Sequence, residues 1–287
     1  MIFTTYCDRI FSERGLIIMA DATKFTEKIK QLKNGISNEI SVENVLALAI
    51  KTPGVKINRT EYLTKELKLY YSQETVDTAL KHNPAYAGIP RSAIDNIAKR
   101  AIDYETSKVT AISFAAGIPG GVAMAATVPA DLAQYFAFIL RIMQKLAYLY
   151  GFEEFDLNDE SINDETMCNI MVFLGIMFGV QEANAAIKVL AGAAAQKVAK
   201  KLGQKALMKT AWFPIVKKIS ALLGVRMTKD IFAKSVSKVV PVIGGVATGA
   251  LTFVTFKPNA IKLKKKFAEL PISDPEFYRK EENIIDV

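Results

Sequence analysis

The chain holds a single histidine, His82, which stands directly before Asn83-Pro84 and reads as a loop residue. With no second histidine, histidine-based zinc binding and most imidazole general-base schemes have no residues to run on. The two cysteines, Cys7 and Cys168, show neither a disulfide framework nor a metal-ligand spacing. There is no Gly-x-Ser-x-Gly elbow, phosphate loop or dinucleotide fingerprint. Gly117 to Gly121 is too apolar for a phosphate cradle, because no Lys or Ser/Thr follows where a phosphate would need it. The sequence therefore assigns no catalytic residue, no metal ligand and no cofactor, and it reads as non-enzymatic.

What chemistry the residues do offer is cationic. Lys188 to Lys238 contains 12 bases and one acid, Asp230, so the whole net charge of +8 arises there. Within it Lys197, Lys200, Lys201, Lys205, Lys209, Lys217 and Lys218 surround Trp212 and Phe213. These nine side chains are the expected lipid-contact residues. Each Lys or Arg near an anionic membrane contributes roughly 1 kcal/mol, and an aromatic pair can seat at headgroup level. The alternative is a solvated helix face. Nucleic acid is not the expected partner: Trp212, Phe213 and Phe232 are the only aromatics in the stretch, and no helix-turn-helix or RNA-binding signature accompanies them.

A second polar set lies at Asp131, Gln134, Arg141 and Lys145, which share an arc of about 80° at 3.6 residues per turn. This stripe is the one polar face of an otherwise apolar helix running from Thr127-Val128-Pro129 to Tyr150 and stopped by Gly151. After it, residues 153–165 carry seven acids and no base, without the glycine and ligand spacing of a calcium loop, and read as solvated.

The elements that must carry these groups are helices throughout, since no period-2 alternation of strand length occurs. Phe25, Ile29, Leu32 and Ile36 form a helical stripe. Val42 to Ile50 forms the next helix and ends at Thr52-Pro53-Gly54. Thr60 is expected to cap a helix with Tyr62, Leu63, Leu67 and Tyr70 on its inner side. Ser72 opens a short helix to Leu80, and Pro90 begins one that reaches Lys108 with Ile94, Ile97, Ala101 and Ile102 inward.

Val109 to Ala130 is then 22 residues without a charge, broken by Ile118-Pro119-Gly120-Gly121. It reads as two short apolar helices meeting at a bend, either entering one leaflet or buried in a bundle. Thr166 to Gln181, 16 uncharged residues, is too short for a span and reads as a core helix. Val239 to Phe256 is a further uncharged run of 18. Three pairs of glycines four apart, Gly117/Gly121, Gly175/Gly179 and Gly245/Gly249, are expected to let helices approach closely. Such pairs serve membrane bundles and tight water-soluble ones alike. Hydrophobic residues reach 51% and mean hydropathy +0.18, yet 23% of residues are charged, which excludes a typical multi-span transporter.

Gly117-Ile118-Pro119-Gly120-Gly121 leading into Pro129-Ala130-Asp131-Leu132, then Arg141, Tyr150-Gly151 and Val240-Pro241-Val242-Ile243-Gly244-Gly245, resembles the EcsC family of bacterial proteins over residues 105–268. The family takes its name from a gene beside those of an ABC exporter. The resemblance implies a link to a membrane transporter or other membrane protein, and it carries no catalytic assignment onto any residue here.

The expected fold is an all-α multi-helix bundle with glycine-rich apolar helical hairpins. Residues 1–18 read as a disordered extension or mis-called start, because their charges suit no signal peptide. An N-terminal helical region over 19–104, an EcsC-like domain over 105–270 and a flexible tail over 271–287 follow. The expected role is that of a cytoplasmic accessory or scaffold for membrane machinery, held peripherally or by shallow insertion at the inner face. The alternatives are a soluble bundle holding a lipid-like ligand and a pore-forming or effector protein.

Overall fold

The computed structural model describes residues 42–117, 128–157, 164–198, 218–219, 221 and 244–285. Among them are nine α-helices, one 3-10 turn and no strand, so the protein is an all-α multi-helix bundle. The helices are α1 (Val42–Ile50), α2 (Arg59–Leu67), α3 (Gln73–Lys81), α4 (Arg91–Gly117), α5 (Val128–Leu149), α6 (Asp164–Met177), α7 (Glu182–Val198), α8 (Gly244–Ala268) and α9 (Pro275–Ile285). The stripe at Phe25 to Ile36 and the bend at Ile118 to Gly121 lie outside the described residues. No helix among the described residues is long and apolar enough to cross a membrane.

Local chemistry explains the boundaries. Asn58, extended at φ −68° and ψ 123°, accepts the Glu61 N–H at 2.8 Å and caps α2. The expected cap, Thr60, instead lies within the first turn. Ser72 caps α3 by accepting the Thr75 N–H. At the far end of α3 the Arg59 guanidinium donates to the carbonyls of Leu80 (2.8 Å), His82 (2.9 Å) and Ala79 (3.3 Å). A cation there both satisfies the orphan acceptors and meets the negative end of the helix dipole.

Gly151 ends α5 at φ +101°, and the Phe152 N–H reaches back to the Ala147 carbonyl at 2.9 Å. Gly179 ends α6 in the same manner: φ is +73°, with Val180 N–H on Gly175 O and Gly179 N–H on Ile176 O. That is a Schellman motif, whose left-handed position glycine fills without a Cβ penalty.

The chain forms two compact units. The described part of the first is 42–55, 103–117, 128–140 and 244–257. Its core holds Leu46, Ala49 and Ile50 from α1, Val109 and Ile112 from α4, Phe136, Ile139 and Leu140 from α5, and Phe256 from α8. Tyr135 meets Phe256 edge-on at 6.1 Å, and Lys257 pairs with Asp103 at 2.6 Å. Thr52 closes α1 by donating to the Leu48 carbonyl. Glu105 and Thr106 are fully buried in this unit.

The described part of the second unit is 56–102, 141–157, 164–198, 218–219, 221 and 258–285. Phe173 and Phe267 pack at 4.7 Å, with Phe152 5.0 Å from the first and 5.1 Å from the second. Ile94, Ile97, Ala101 and Ile102 are buried, as their spacing predicts. Gly175 brings α6 against α7, since a Cβ built there would stand 2.8 Å from Ala183 Cβ. The contact between α6 and α7 thus depends on a glycine.

Three further expectations need correction. The change in composition at Lys108 is no helix boundary, because α4 continues to Gly117. Charge disappears from the sequence there while nothing interrupts the backbone ladder. Tyr70 is not on the inner side of α2: the helix ends at Leu67 and Tyr70 is 61% exposed. The tail is not loose as far as Lys280, since Pro271–Ser273 is a 3-10 turn, α9 follows, and Ile272, Ser273 and Tyr278 are buried.

Candidate functional site

Of the nine expected lipid-contact residues, Lys200, Lys201, Lys205, Lys209, Trp212, Phe213 and Lys217 lie outside the described residues, and Lys197 is placed only as a member of α7. Lys218 is exposed, its Nζ 2.8 Å from Glu182 Oε1. The next residue, Ile219, is fully buried, with its Cγ2 3.1 Å from where a Cβ on Gly175 would stand. On α7, Lys188 is exposed while Ile187 and Leu190 are buried. At both described points a cation stands outward beside a buried isoleucine, Ile187 or Ile219, while Val189 on the other side of Lys188 is itself 56% exposed.

The polar stripe of α5 behaves differently. Every residue from Ala133 to Tyr150 is buried except Arg141, which is half-buried. Gln134 and Lys145 lie inside, so neither faces a headgroup, and Asp131 is placed only as a first-turn residue of α5. The Lys145 ammonium sits 5.5 Å from the centre of the Tyr62 ring, a cation–π contact that desolvation strengthens. The stripe also divides between the units, Asp131 and Gln134 in one, Arg141 and Lys145 in the other.

The spacing missed Gln144, which is 1% exposed and organises this region. Its Oε1 accepts the Ile57 N–H at 3.0 Å and the Tyr148 hydroxyl at 3.5 Å, and Tyr148 Oη accepts the Phe155 N–H at 3.1 Å. One amide and one phenol thereby hold the chain entering α2 and the chain leaving α5. Burial pushes the Tyr148 phenol far above its ordinary titration range. The Tyr150 hydroxyl donates to Asp95 Oδ1, which also takes Lys264 Nζ at 3.1 Å. Burial first, then the Asp95 hydrogen bond, pushes that phenol upward as well.

Asn83 is a third pin. Fully buried, it donates from Nδ2 to Tyr278 Oη at 2.8 Å and accepts the Tyr86 N–H at Oδ1, also at 2.8 Å. The Tyr278 hydroxyl in turn donates to the Ile272 carbonyl at 3.3 Å. Gly151 completes the fit, since a Cβ there would lie 3.0 Å from Ile272 O and 3.3 Å from Asn83 Nδ2. His82 stacks on Tyr86 with ring centroids 4.1 Å apart.

Each of these polar groups is engaged in holding the chain, and no group of three or more metal-ligating side chains occurs among the described residues. Cys168 is half-buried, and burial, aided by Glu165, pushes its thiol up to about 11, so it is not an activated nucleophile. Of the glycine pairs, Gly175 alone can be assigned a packing role. Gly179 serves the turn that ends α6, which corrects its expected packing role. Gly117, Gly245 and Gly249 are placed as helical residues, and Gly121 lies outside the described residues.

At the surface, four large hydrophobic side chains among the described residues are exposed, and two of them, Leu69 (66%) and Tyr70 (61%), are neighbours in the turn between α2 and α3. Comparison of the chain with family models, with curated proteins and with solved structures finds no match.

Proposed function

We propose that this chain is a helical, membrane-associated protein that docks peripherally or by shallow insertion on anionic lipid, serving as an accessory or scaffold to membrane machinery at the cytoplasmic face. The observation that carries this reading is the charge of residues 188–238, 12 bases against one acid, with Trp212 and Phe213 in their midst. Lys188 and Lys218, each exposed beside a buried isoleucine, support it. At roughly 1 kcal/mol per cation, six lysines held at an anionic surface contribute about 6 kcal/mol of attraction. The resemblance to the EcsC family favours a membrane transporter or another membrane protein as the partner, and the reading needs no enzymatic step.

Flotation of the full chain with neutral and with phosphatidylserine-containing vesicles tests it. The expected result is flotation with the anionic vesicles only. A variant with Lys197, Lys200, Lys201, Lys205, Lys209 and Lys217 replaced by Gln is expected to lose it. Absence of flotation with either vesicle, or unchanged flotation of the variant, overturns the reading. An acyl species retained by the chain in native mass spectra, without flotation, would favour a lipid-like ligand instead.

A further inference from the structure

Leu69 and Tyr70 stand outward, 66% and 61% exposed. Single exposed hydrophobic residues are common on any surface, whereas two adjacent ones at the tip of a helix–helix turn concentrate apolar area in one place. Their exposure is fixed by the fold. The N–H groups of Tyr70 and Tyr71 both bond to the Leu67 carbonyl, at 2.9 and 3.0 Å, and Ser72 immediately caps α3. The Arg100 guanidinium lies 5.5 Å from the centre of the Tyr70 ring and also reaches Glu66, with an N–O distance of 3.9 Å. The turn is thus tied both to α2 and to α4.

The charges around the pair carry a small positive excess. Lys68 directly precedes it and Lys65 stands one turn earlier on α2, both exposed. Lys99 and Arg100, also exposed, are neighbours on α4, and the ring contact places Arg100 beside Tyr70. Across residues 65–74 and 96–104 these four bases stand with three acids, Glu66, Glu74 and Asp103. An aliphatic side chain, an amphipathic aromatic and a cationic rim match the lipid–water interface. There the leucine enters the acyl boundary, tyrosine takes the headgroup level, and lysine and arginine meet anionic headgroups.

We propose that the Leu69–Tyr70 turn is a lipid-insertion element, separate in sequence from the basic stretch and acting on the same anionic surface. It rests on the docking reading above, and the test separates the two. A nitrobenzoxadiazole fluorophore on Leu69→Cys, in a Cys7→Ser, Cys168→Ala background of the full chain, is followed while anionic or neutral vesicles are added, and the same samples are floated. The expected result is a blue shift and several-fold brightening with anionic vesicles. A Tyr70→Ser substitution is expected to reduce it, with circular dichroism showing the helical content retained. Unchanged emission in samples that float overturns the insertion element and leaves the docking reading standing. Unchanged emission without flotation overturns both. An equal response to neutral vesicles overturns the anionic selectivity of the turn. A blue shift that needs no vesicles and grows with protein concentration assigns the turn to contact between copies of the chain and overturns the proposal.

Discussion

Replacing Asn83 with alanine removes two hydrogen bonds from a fully buried site, those to Tyr278 Oη and from the Tyr86 N–H, each 2.8 Å long. Loss of the bond to Tyr278 costs about 1 kcal/mol, and taking away the acceptor used by the Tyr86 N–H costs about 1–3 kcal/mol more. The expected destabilisation is therefore about 2–4 kcal/mol, a large fraction of the roughly 5–15 kcal/mol that holds a domain folded. In urea, with a slope of about 3 kcal/mol/M, the midpoint falls by about 1 M. Tyr278→Phe breaks the same bond from its other end, together with the hydroxyl's bond to the Ile272 carbonyl, 3.3 Å long. The two changes share an interaction, so the double variant is expected to lose about 1 kcal/mol less than the sum of the singles. Amide hydrogen exchange over residues 271–280 should accelerate in both. A midpoint within about 0.2 M of the wild type, or strict additivity, would refute the claim that Asn83 holds the C-terminal segment in place.

Three further outcomes follow from the same geometry. Gly175→Ala places a methyl 2.8 Å from Ala183 Cβ and 3.1 Å from Ile219 Cγ2, so thermal unfolding should show a loss of about 1–3 kcal/mol, and an unchanged melting temperature would contradict the close approach of α6 and α7. In a Cys7→Ser background, alkylation of Cys168 by iodoacetamide should be slow at pH 8 and climb as pH rises towards the thiol's value of about 11; a rate matching that of a free thiol at pH 8 would contradict its burial. Folding holds the Tyr148 and Tyr150 phenols above their ordinary value of 10.0, while the unfolded chain releases those protons near that pH. Their stabilising contribution is thus complete below about pH 10 and is lost as the pH rises beyond it, so the urea midpoint should decline as the pH is raised above about 10, where a flat profile would count against the buried phenols.

The helical class was legible because its signals are local. Caps such as Ser72, breakers such as Gly151 and the apolar period of Ile94, Ile97, Ala101 and Ile102 each operate within a turn or two of the chain. What escaped the sequence depends on partners far along it. Asn83 and Tyr278 are 195 residues apart, and Ile57 and Gln144 are 87 apart, so no spacing could announce either bond. α9 escapes the sequence for the same reason, since five of the eleven residues of PEFYRKEENII are charged and its docking turns on one tyrosine. Tyr70 fits the apolar period of α2, but the helix stops at Leu67, and the register that would carry Tyr70 inward stops with it. Gly179 matched a four-residue packing pattern while meeting a different need, a left-handed residue after α6. The α5 stripe is legible as a few polar positions on an apolar helix, yet sequence alone does not tell an inward polar face from an outward one. The cationic stretch was legible from charge counting alone, and at Lys188 and Lys218 the structure adds the direction its side chains take.

The most direct test of lipid docking is the binding of the full chain to vesicles as ionic strength is raised. Attraction between exposed cations and an anionic surface is screened over a Debye length that shrinks from about 10 Å at 0.1 M salt to about 3 Å at 1 M. Tight binding to phosphatidylserine vesicles at low salt, falling steeply as salt increases, is the predicted result. Affinity that is the same for neutral vesicles and indifferent to salt would contradict it.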